Sequence, residues 1–321
     1  MKFAISGSAG FIGAALSLEL LKNGHEVIGI DNLNNYYDIE LKKYRLSLLE
    51  KFSTFKNLQI DILNLNEKNH GLILSKVDYF IHLAGQAGVR HSINSPMDYI
   101  QANIVGFMNV LELCKNINIK NLIYASSSSV YGKNDKMPFS EDNVTNTPLS
   151  IYAATKQSNE LMAYSYSHLN GIKTIGLRFF TVYGPMGRPD MAMKKFTDSI
   201  INSKEIYIFN GGNHTRDFTF IEDVTTAIKK IISNSNKLNN YEIFNIGNNK
   251  TTGIRRVIEI LEAEIGKKAI IIEKEAQAGD MLHTQCDNSK FINHFGCYKE
   301  TPIELGLHKY VKWYLSYYKN I

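Results

Sequence analysis

Phe3-Ala4-Ile5-Ser6-Gly7-Ser8-Ala9-Gly10-Phe11-Ile12-Gly13-Ala14 stands almost at the start of the chain, and its reading decides the fold. Phe3 to Ser6 reads as a short strand and Gly7 to Gly13 as a turn. Ala14 to Lys22 continues as an apolar-faced helix that Asn23-Gly24 stops. Glu26 to Ile30 is a second apolar strand, ended by Asp31. Glycines at 7, 10 and 13 let the backbone approach a pyrophosphate and let the helix pack close to the strand, while the helix N-terminus faces the phosphates. An acid ending the second strand is placed to bind the hydroxyls of an adenosine ribose. With no Arg beside Asp31 to hold a 2′-phosphate, the unit favours NAD over NADP. A plain tight turn is the competing reading; the flanking strand and helix and the well-spaced acid weigh against it.

The alternation of strands and helices continues. Lys56 to Asp61, Asp78 to Leu83, Asn121 to Ala125 and Lys173 to Phe180 read as strands three to six, with a helix from Pro96 to about Asn116 before the fifth. This α/β pattern predicts a doubly wound parallel sheet of the Rossmann type. Asp61 ends the third strand, where an acid can bind an adenine amino group; a helix N-cap is the alternative. Small residues after the fourth strand, Ala84-Gly85, let a cofactor lie across the strand ends. Past Phe180 the character changes. Thr181-Val182-Tyr183-Gly184-Pro185-Met186-Gly187-Arg188-Pro189-Asp190-Met191 is a Gly- and Pro-rich loop, and a helix to about Ser203 follows. Ile206 to Phe209 and Thr215 to Phe220, flanking Asn210-Gly211-Gly212, read as a hairpin. A helix from Glu222, a strand from Tyr241 to Gly247, helices near 253–266 and 302–318 and a strand near 269–273 complete the chain. We expect a larger domain of residues 1–180 plus 217–247 for the dinucleotide, and a smaller α/β substrate domain of residues 181–216 plus 248–321.

The fifth strand delivers Ser126-Ser127-Ser128-Ser129 to the carboxyl edge of the sheet, where open α/β sheets bind ligands. Beyond it comes Tyr152-Ala153-Ala154-Thr155-Lys156, with Ser150 as a plausible N-cap of a helix ended by Asn170-Gly171. Four residues apart, Tyr152 and Lys156 share a helix face. A free tyrosine ionises near pH ~10, so work at neutral pH means lowering that by roughly 3 units, or about 4 kcal/mol. An ammonium supplies part of this, and a second positive charge such as an oxidised nicotinamide ring supplies more. With a serine hydroxyl on the same oxygen, this is apparatus for removing a proton from an alcohol. Taken alone, Tyr-x-x-x-Lys is common and can be a chance pairing.

Composition narrows the classes. Of 321 residues, 44% are hydrophobic, ordinary for a globular protein, and the formal charge of +5 comes from scattered basic residues with no nucleic-acid arm. Cys114, Cys286 and Cys297 show neither metal spacing nor a paired framework, which fits a reducing compartment. Met1-Lys2 runs straight into the first strand, leaving no room for a signal peptide, and no long uncharged apolar run suggests a membrane span. The expectation is a soluble cytoplasmic protein that binds neither nucleic acid, membrane nor metal.

With the glycine turn, the serine run and Tyr152/Lys156 in one chain, the sequence resembles the extended short-chain dehydrogenase/reductase family along nearly its whole length. Within it the chain is most similar to the NAD-dependent UDP-glucuronate 4-epimerases. The matching segments are Asp31 to Asp38, Gln86-Ala87-Gly88-Val89-Arg90, Ser126 to Gly132, Tyr152 to Lys156, Arg178 to Met191 and Arg216 to Ile221. The resemblance implies reversible inversion at C4 of UDP-glucuronate, giving UDP-galacturonate through a 4-keto intermediate and tightly held NAD. Tyr152 would take the 4-hydroxyl proton, Lys156 would bind the nicotinamide ribose, and Ser127 would hydrogen-bond the 4-oxygen. The cofactor residues implied are Gly7, Gly10, Phe11, Ile12, Gly13, Asp31, Asn32, Asp61, Ile62, Leu83, Ala84, Gly85, Asn103 and Ser126, with Tyr152 and Lys156. Thr181 and Arg188 would hold the sugar carboxylate, although a phosphate contact or a surface ion pair is the plainer reading of Arg188. Arg216 would pair with the diphosphate and Asp280 with the uridine ribose, with Gln86, Ser128, Phe209 and Arg90 near the substrate. Arg90 reads equally as a structural ion pair. Gln277 stands where galactose epimerases carry an Arg, which leaves part of the diphosphate contact open. A homodimer through the helices after Pro96 and around Tyr152 is also implied. The rivals are a UDP-glucose or UDP-N-acetylhexosamine 4-epimerase and, from another class, a non-catalytic NAD-sensing protein. The serine run lacks the Glu that related dehydratases and decarboxylases place there, which favours simple epimerisation.

Overall fold

The structure is a computed structural model that describes residues 1–134, 136–275, 282–297 and 300–318. Its strands in chain order are β1 (Lys2–Ser6), β2 (Glu26–Asp31), β3 (Phe55–Gln59), β4 (Tyr79–His82), β5 (Asn121–Ser127), β6 (Lys173–Phe179), β7 (Thr181–Tyr183), β8 (Glu205–Phe209), β9 (Thr215–Phe220), β10 (Tyr241–Ile246), β11 (Thr251–Gly253) and β12 (Ile270–Lys274). Seven form one parallel sheet in the order β10-β6-β5-β4-β1-β2-β3, the expected doubly wound α/β arrangement. The strand order reverses its direction of travel between β1 and β4, which pair Phe3 with Tyr79 and Ser6 with His82.

Alternation along each strand feeds two cores, one on each face. Phe3 and Ile5 of β1, Val27 of β2 and Ile81 of β4 face one core, closed by Leu16 and Leu20 of the helix Phe11–Lys22 and by Val224 and Ile228 of the helix Ile221–Asn234. Ala4, Ile28, Phe80 and Leu122 face the other, closed by Phe107, Val110 and Cys114 of the helix Gly106–Asn116. The expected helix from Pro96 is interrupted: α-helical Pro96–Tyr99 passes through a π-helical Ile100–Val105 before Gly106–Asn116. Asn103 lies in that π stretch, a feature often found at functional sites.

The expected hairpin around Asn210 does not form. β8 pairs in parallel with β12, whereas β9 pairs in parallel with β7 and antiparallel with β11. Asn210, Gly211 and Gly212 all have positive φ, at 50°, 59° and 79°, and this run of left-handed residues turns the chain out of the β8 ladder. Ile206 and Ile208 of β8 enter the core, where the helix Ala192–Ile201 packs against the strand and β12 pairs beside it. β7 and β11 are three-residue strands, too short to leave a periodic trace. The third strand stops at Gln59, so Asp61 falls beyond it and caps the short turn Ile62–Asn64 by accepting from the Leu63 amide.

Ser150 caps the helix Ile151–Asn170 by accepting from the Ala153 amide at 3.1 Å, and Gly171, with φ +63°, ends it. The helix is fixed to the sheet by a buried ion pair. Arg178 of β6 donates from Nε and Nη2 to the two oxygens of Glu160, at 2.9 and 2.8 Å. Removing one partner of such a pair leaves the other charge buried and uncompensated. Arg178→Met is therefore expected to cost about 3–5 kcal/mol, read as a lower urea midpoint with an unchanged slope.

Candidate active site

The glycine turn is built by close approach. Gly7 has φ +77°, and a Cβ there would lie 2.7 Å from the Ala84 amide nitrogen; a Cβ on Gly13 would overlap the Gly7 carbonyl. The turn therefore brings the start of the helix Phe11–Lys22 against the end of β4. Asp31 accepts from the Ala9 amide at 3.0 Å and from the Leu33 amide at 2.9 Å, so its carboxylate is held at the turn. Asn32 donates to Asp61 at 2.7 Å, which ties the ends of β2 and β3 together.

One cleft of about 1440 Å³ runs along the carboxyl ends of the strands. Drug-sized ligands occupy roughly 300–1,000 Å³, so the space suits a dinucleotide together with a second molecule. Every candidate residue named above that the structure describes lines it except one. Asn103 is buried and acts from behind: its side chain accepts from the Gln86 amide at 2.8 Å and donates to the Gln86 carbonyl at 3.0 Å and to Thr155 at 3.0 Å. Asp280, like Gln277, lies outside the described residues.

Tyr152, Lys156 and Ser127 line this cleft together, and Ser127 hydrogen-bonds the Tyr152 phenol. Burial raises the Tyr152 phenol above its ordinary value, opposed by the Ser127 hydroxyl and the charge of Arg188. The cation that acts on the phenol is Arg188 of the Gly-Pro loop, not the Lys156 expected from sequence. Lys156 donates to the Ala125 carbonyl at 3.0 Å, and burial pulls its ammonium down to about 8. Ser127 also accepts from the Ser129 amide at 3.2 Å, which turns the serine run into the short helix Ser128–Tyr131. Ser126 instead donates to Glu160 at 2.5 Å.

The far wall carries the Gly-Pro loop. Arg188 forms a bidentate pair with Asp190, Nε to Oδ1 at 3.0 Å and Nη2 to Oδ2, with its side chain about one-fifth exposed at 21%. Burial opposes both charges, but each partner more than offsets this for the other. Tyr36 donates to the same Asp190 oxygen at 3.4 Å. Arg90 lies over the Phe209 ring at 5.4 Å, and Arg216 donates to the carbonyls of Thr215 and Leu282, both at 3.0 Å.

A family model described as the NAD dependent epimerase/dehydratase family matches residues 3–247. The chain belongs to that family. Among relatives of this epimerase/dehydratase chain, UDP-glucuronate 4-epimerase 2 of Arabidopsis thaliana is 42% identical over 98% of this chain and 76% of its own length. Protein CapI of Staphylococcus aureus is 44% identical over the full length of both. The structure is similar to that of the UDP-glucuronic acid 4-epimerase of Bacillus cereus in complex with UDP-glucuronic acid and NAD: TM-score 0.93, 34% identity, covering 99% of this chain and 100% of that one. The cradle fits the family's cofactor, because the Gly7 and Gly13 positions that no Cβ can occupy leave backbone open to a pyrophosphate, and Asp31 stands beside it. NAD is the cofactor of this fold.

Several side chains of the site leave no signal in the sequence. Tyr99 donates to the Ala87 and Gly88 carbonyls at 2.8 and 2.6 Å and meets the Tyr152 ring edge-on at 6.1 Å. Lys42, which donates to Asn34, also lines the cleft. Among the described residues no group of three His, Cys, Asp or Glu side chains could hold a metal, and no helix is long and apolar enough to cross a membrane.

Lys156 makes the site's burial measurable. Its ammonium falls from an ordinary 10.5 to about 8. Between those values the unfolded chain holds a proton that the folded chain has lost, so stability rises with pH in that window and is flat below it. In nucleotide-free protein, raising the pH from 8 to 10 is expected to stabilise wild type over Lys156→Met by about 2 kcal/mol, measured by urea unfolding at both values. A difference that stays constant with pH refutes the shift.

Proposed function

We propose that this chain reversibly inverts C4 of UDP-glucuronate, giving UDP-galacturonate. The observation that supports the reading is one cleft lined by Tyr152, Ser127 and Lys156 and also by Arg188, whose charge reaches the Tyr152 phenol. A uronic acid is the sugar that rewards such an Arg, because a guanidinium–carboxylate contact is charge-assisted and directional. A neutral hexose offers that group no carboxylate beyond the Asp190 it already holds.

Bound NAD supplies the reversible hydride acceptor at C4. Tyr152, as its phenolate, takes the proton of the 4-hydroxyl as the 4-keto sugar forms and returns it once the ring has presented its other face. Ser127 donates to the 4-oxygen, with Ser128 beside it, and Lys156 holds the ribose next to the reacting carbon. Thr181 and Arg188 hold the carboxylate. This also protects the intermediate: a 4-keto uronic acid is a β-keto acid, and a carboxylate kept out of line with the carbonyl π system loses carbon dioxide slowly. Gly7, Gly10, Gly13 and the amides of Phe11 and Ile12 take the pyrophosphate. Asp31 and Asn32 take the adenosine ribose, with Asp61 and Ile62 at the adenine. Leu83, Ala84, Gly85 and Ser126 line the path of the cofactor, and Asn103 shapes it through Gln86. Arg216, Phe209, Arg90 and Asp280 serve the UDP half.

The same reading divides the chain into a dinucleotide part, 1–180 plus 217–247, and a sugar-nucleotide part, 181–216 plus 248–321. A homodimer through the two helices is supported by apolar side chains left exposed on them, Val105 on one and Leu161 on the other. Buried Cys114 and Cys286 and exposed Cys297, all free, suit the reducing cytoplasm. The proposed product, a nucleotide sugar, would serve polysaccharide synthesis.

A panel of UDP-glucuronate, UDP-galacturonate, UDP-glucose and UDP-N-acetylglucosamine, scored for C4 inversion, tests the assignment; inversion of the neutral sugars alone overturns it. In heavy water the inverted sugar is expected to carry no deuterium at C4. Tyr152→Phe is expected to keep its fold and bound NAD while turnover falls by about 10²–10⁴; near-normal activity removes Tyr152 from its role. Arg188→Ala is expected to weaken UDP-glucuronate by about 1.5–3 kcal/mol more than UDP-glucose, by calorimetry on each ligand.

A further inference from the structure

Arg45 is 1% exposed, yet among the described residues its charge meets no carboxylate. Its partners are dipoles. Nη1 donates to the Ala9 carbonyl at 2.9 Å and to the Tyr37 hydroxyl at 2.7 Å, Nη2 donates to the Met186 carbonyl at 2.6 Å, and Nε is buried without a partner. A buried cation without a counter-charge is costly, so its position calls for a task that a neutral side chain cannot perform. The two carbonyls identify that task. Ala9 belongs to the glycine turn, and Asp31 holds its amide from the other side. Met186 belongs to the Gly-Pro loop, two residues before Arg188, and sits at φ +59°. One guanidinium thus bolts the cofactor turn to the loop across the cleft. Tyr37 and the neighbouring Tyr36 brace the same junction, Tyr37 through Arg45 and Tyr36 through Asp190 on Arg188. Arg45 itself does not line the cleft.

We propose that Arg45 is a positioning residue that fixes the aim of Arg188 relative to the glycine turn, so that preference for a carboxylate-bearing sugar depends on a side chain that never reaches the sugar. This rests on the function proposed above. Only a planar fork spans both carbonyls; a lysine reaches one.

The test measures binding of UDP-glucuronate and UDP-glucose by calorimetry to the NAD-loaded wild type, Arg45→Lys and Arg45→Met. Expected is a fall of roughly tenfold in the preference for UDP-glucuronate in either variant, the scale of one charge-assisted contact, with UDP-glucose affinity nearly unchanged. Equal weakening of both ligands, or an unchanged ratio, overturns the proposal and leaves Arg45 a packing residue. Arg45→Lys keeps the charge, so it alone decides between these outcomes if Arg45→Met does not fold. The wild-type arm separates the two ideas: no preference for UDP-glucuronate there sinks the proposed substrate, whereas a wild-type preference that survives in the variants sinks the role of Arg45 alone.

Discussion

Backbone crowding where β1 meets β4 is the constraint from which the rest of the molecule follows. The chain leaves β1 so close to the end of β4 that the Gly7 α-carbon has no room for a side chain, and the helix that follows packs so close that Gly13 has none either. This crowding aims the amides at the start of the helix into the crevice where the sheet reverses direction. Once that end of the sheet is committed to a pyrophosphate, the other parallel strands deliver their own ends to the same edge: Asp31 from β2, Gly85 after β4, the serine run from β5. The chemical centre then depends on placing one helix. Its face carries Tyr152, Lys156 and Glu160 four residues apart, and the Glu160–Arg178 pair locks that face to β6. The same residue spacing that exposes the phenol to the cleft buries the carboxylate behind it.

That logic explains which parts are legible in the sequence. The glycine turn, the parallel sheet and the Tyr152 helix are local statements, in which each residue's type is dictated by backbone contact, capping or face sharing within a few positions. β7 and β11 are not legible, because three residues show no period. β8 reads as half of a hairpin because a turn-like Asn-Gly-Gly follows it at once, while its true partner, β12, lies far along the chain at Ile270–Lys274. Arg45 is hidden for a different reason. It sits in a helix full of Leu, Lys and Arg, Ile39–Leu49, where a cation is ordinarily part of a solvated face. Only the paired tyrosines at 36 and 37, unusual in a polar loop, mark that something aromatic and buried lies nearby. Arg188 shows the limit from the other side: an ion pair and a ligand contact read as alternatives in the sequence, yet Asp190 engages one edge of the guanidinium and that pairing orients the rest.

The acids of the cleft bear on the type of reaction. Elimination needs a further base or acid next to the sugar, and six described carboxylates line this cleft. Five are already engaged: Asp31 is held by the Ala9 and Leu33 amides, Asp61 by Asn32 and Leu63, Asp190 by Arg188, Asp198 by Lys194 at 2.7 Å and Glu205 by Tyr207. Asp98 is mostly exposed to solvent, 3.6 Å from His91. Glu160, the acid that reaches the serine run, gives both oxygens to Arg178 and accepts from Ser126 as well. A carboxylate bound in that way is a poor base, because taking a proton would forfeit a buried ion pair. In the reaction proposed here, proton transfer at the sugar falls to the phenol of Tyr152. A single phenol that removes one hydroxyl proton and gives it back is sufficient, with a hydride acceptor, for inversion at one carbon, and the paired acids are not needed for it.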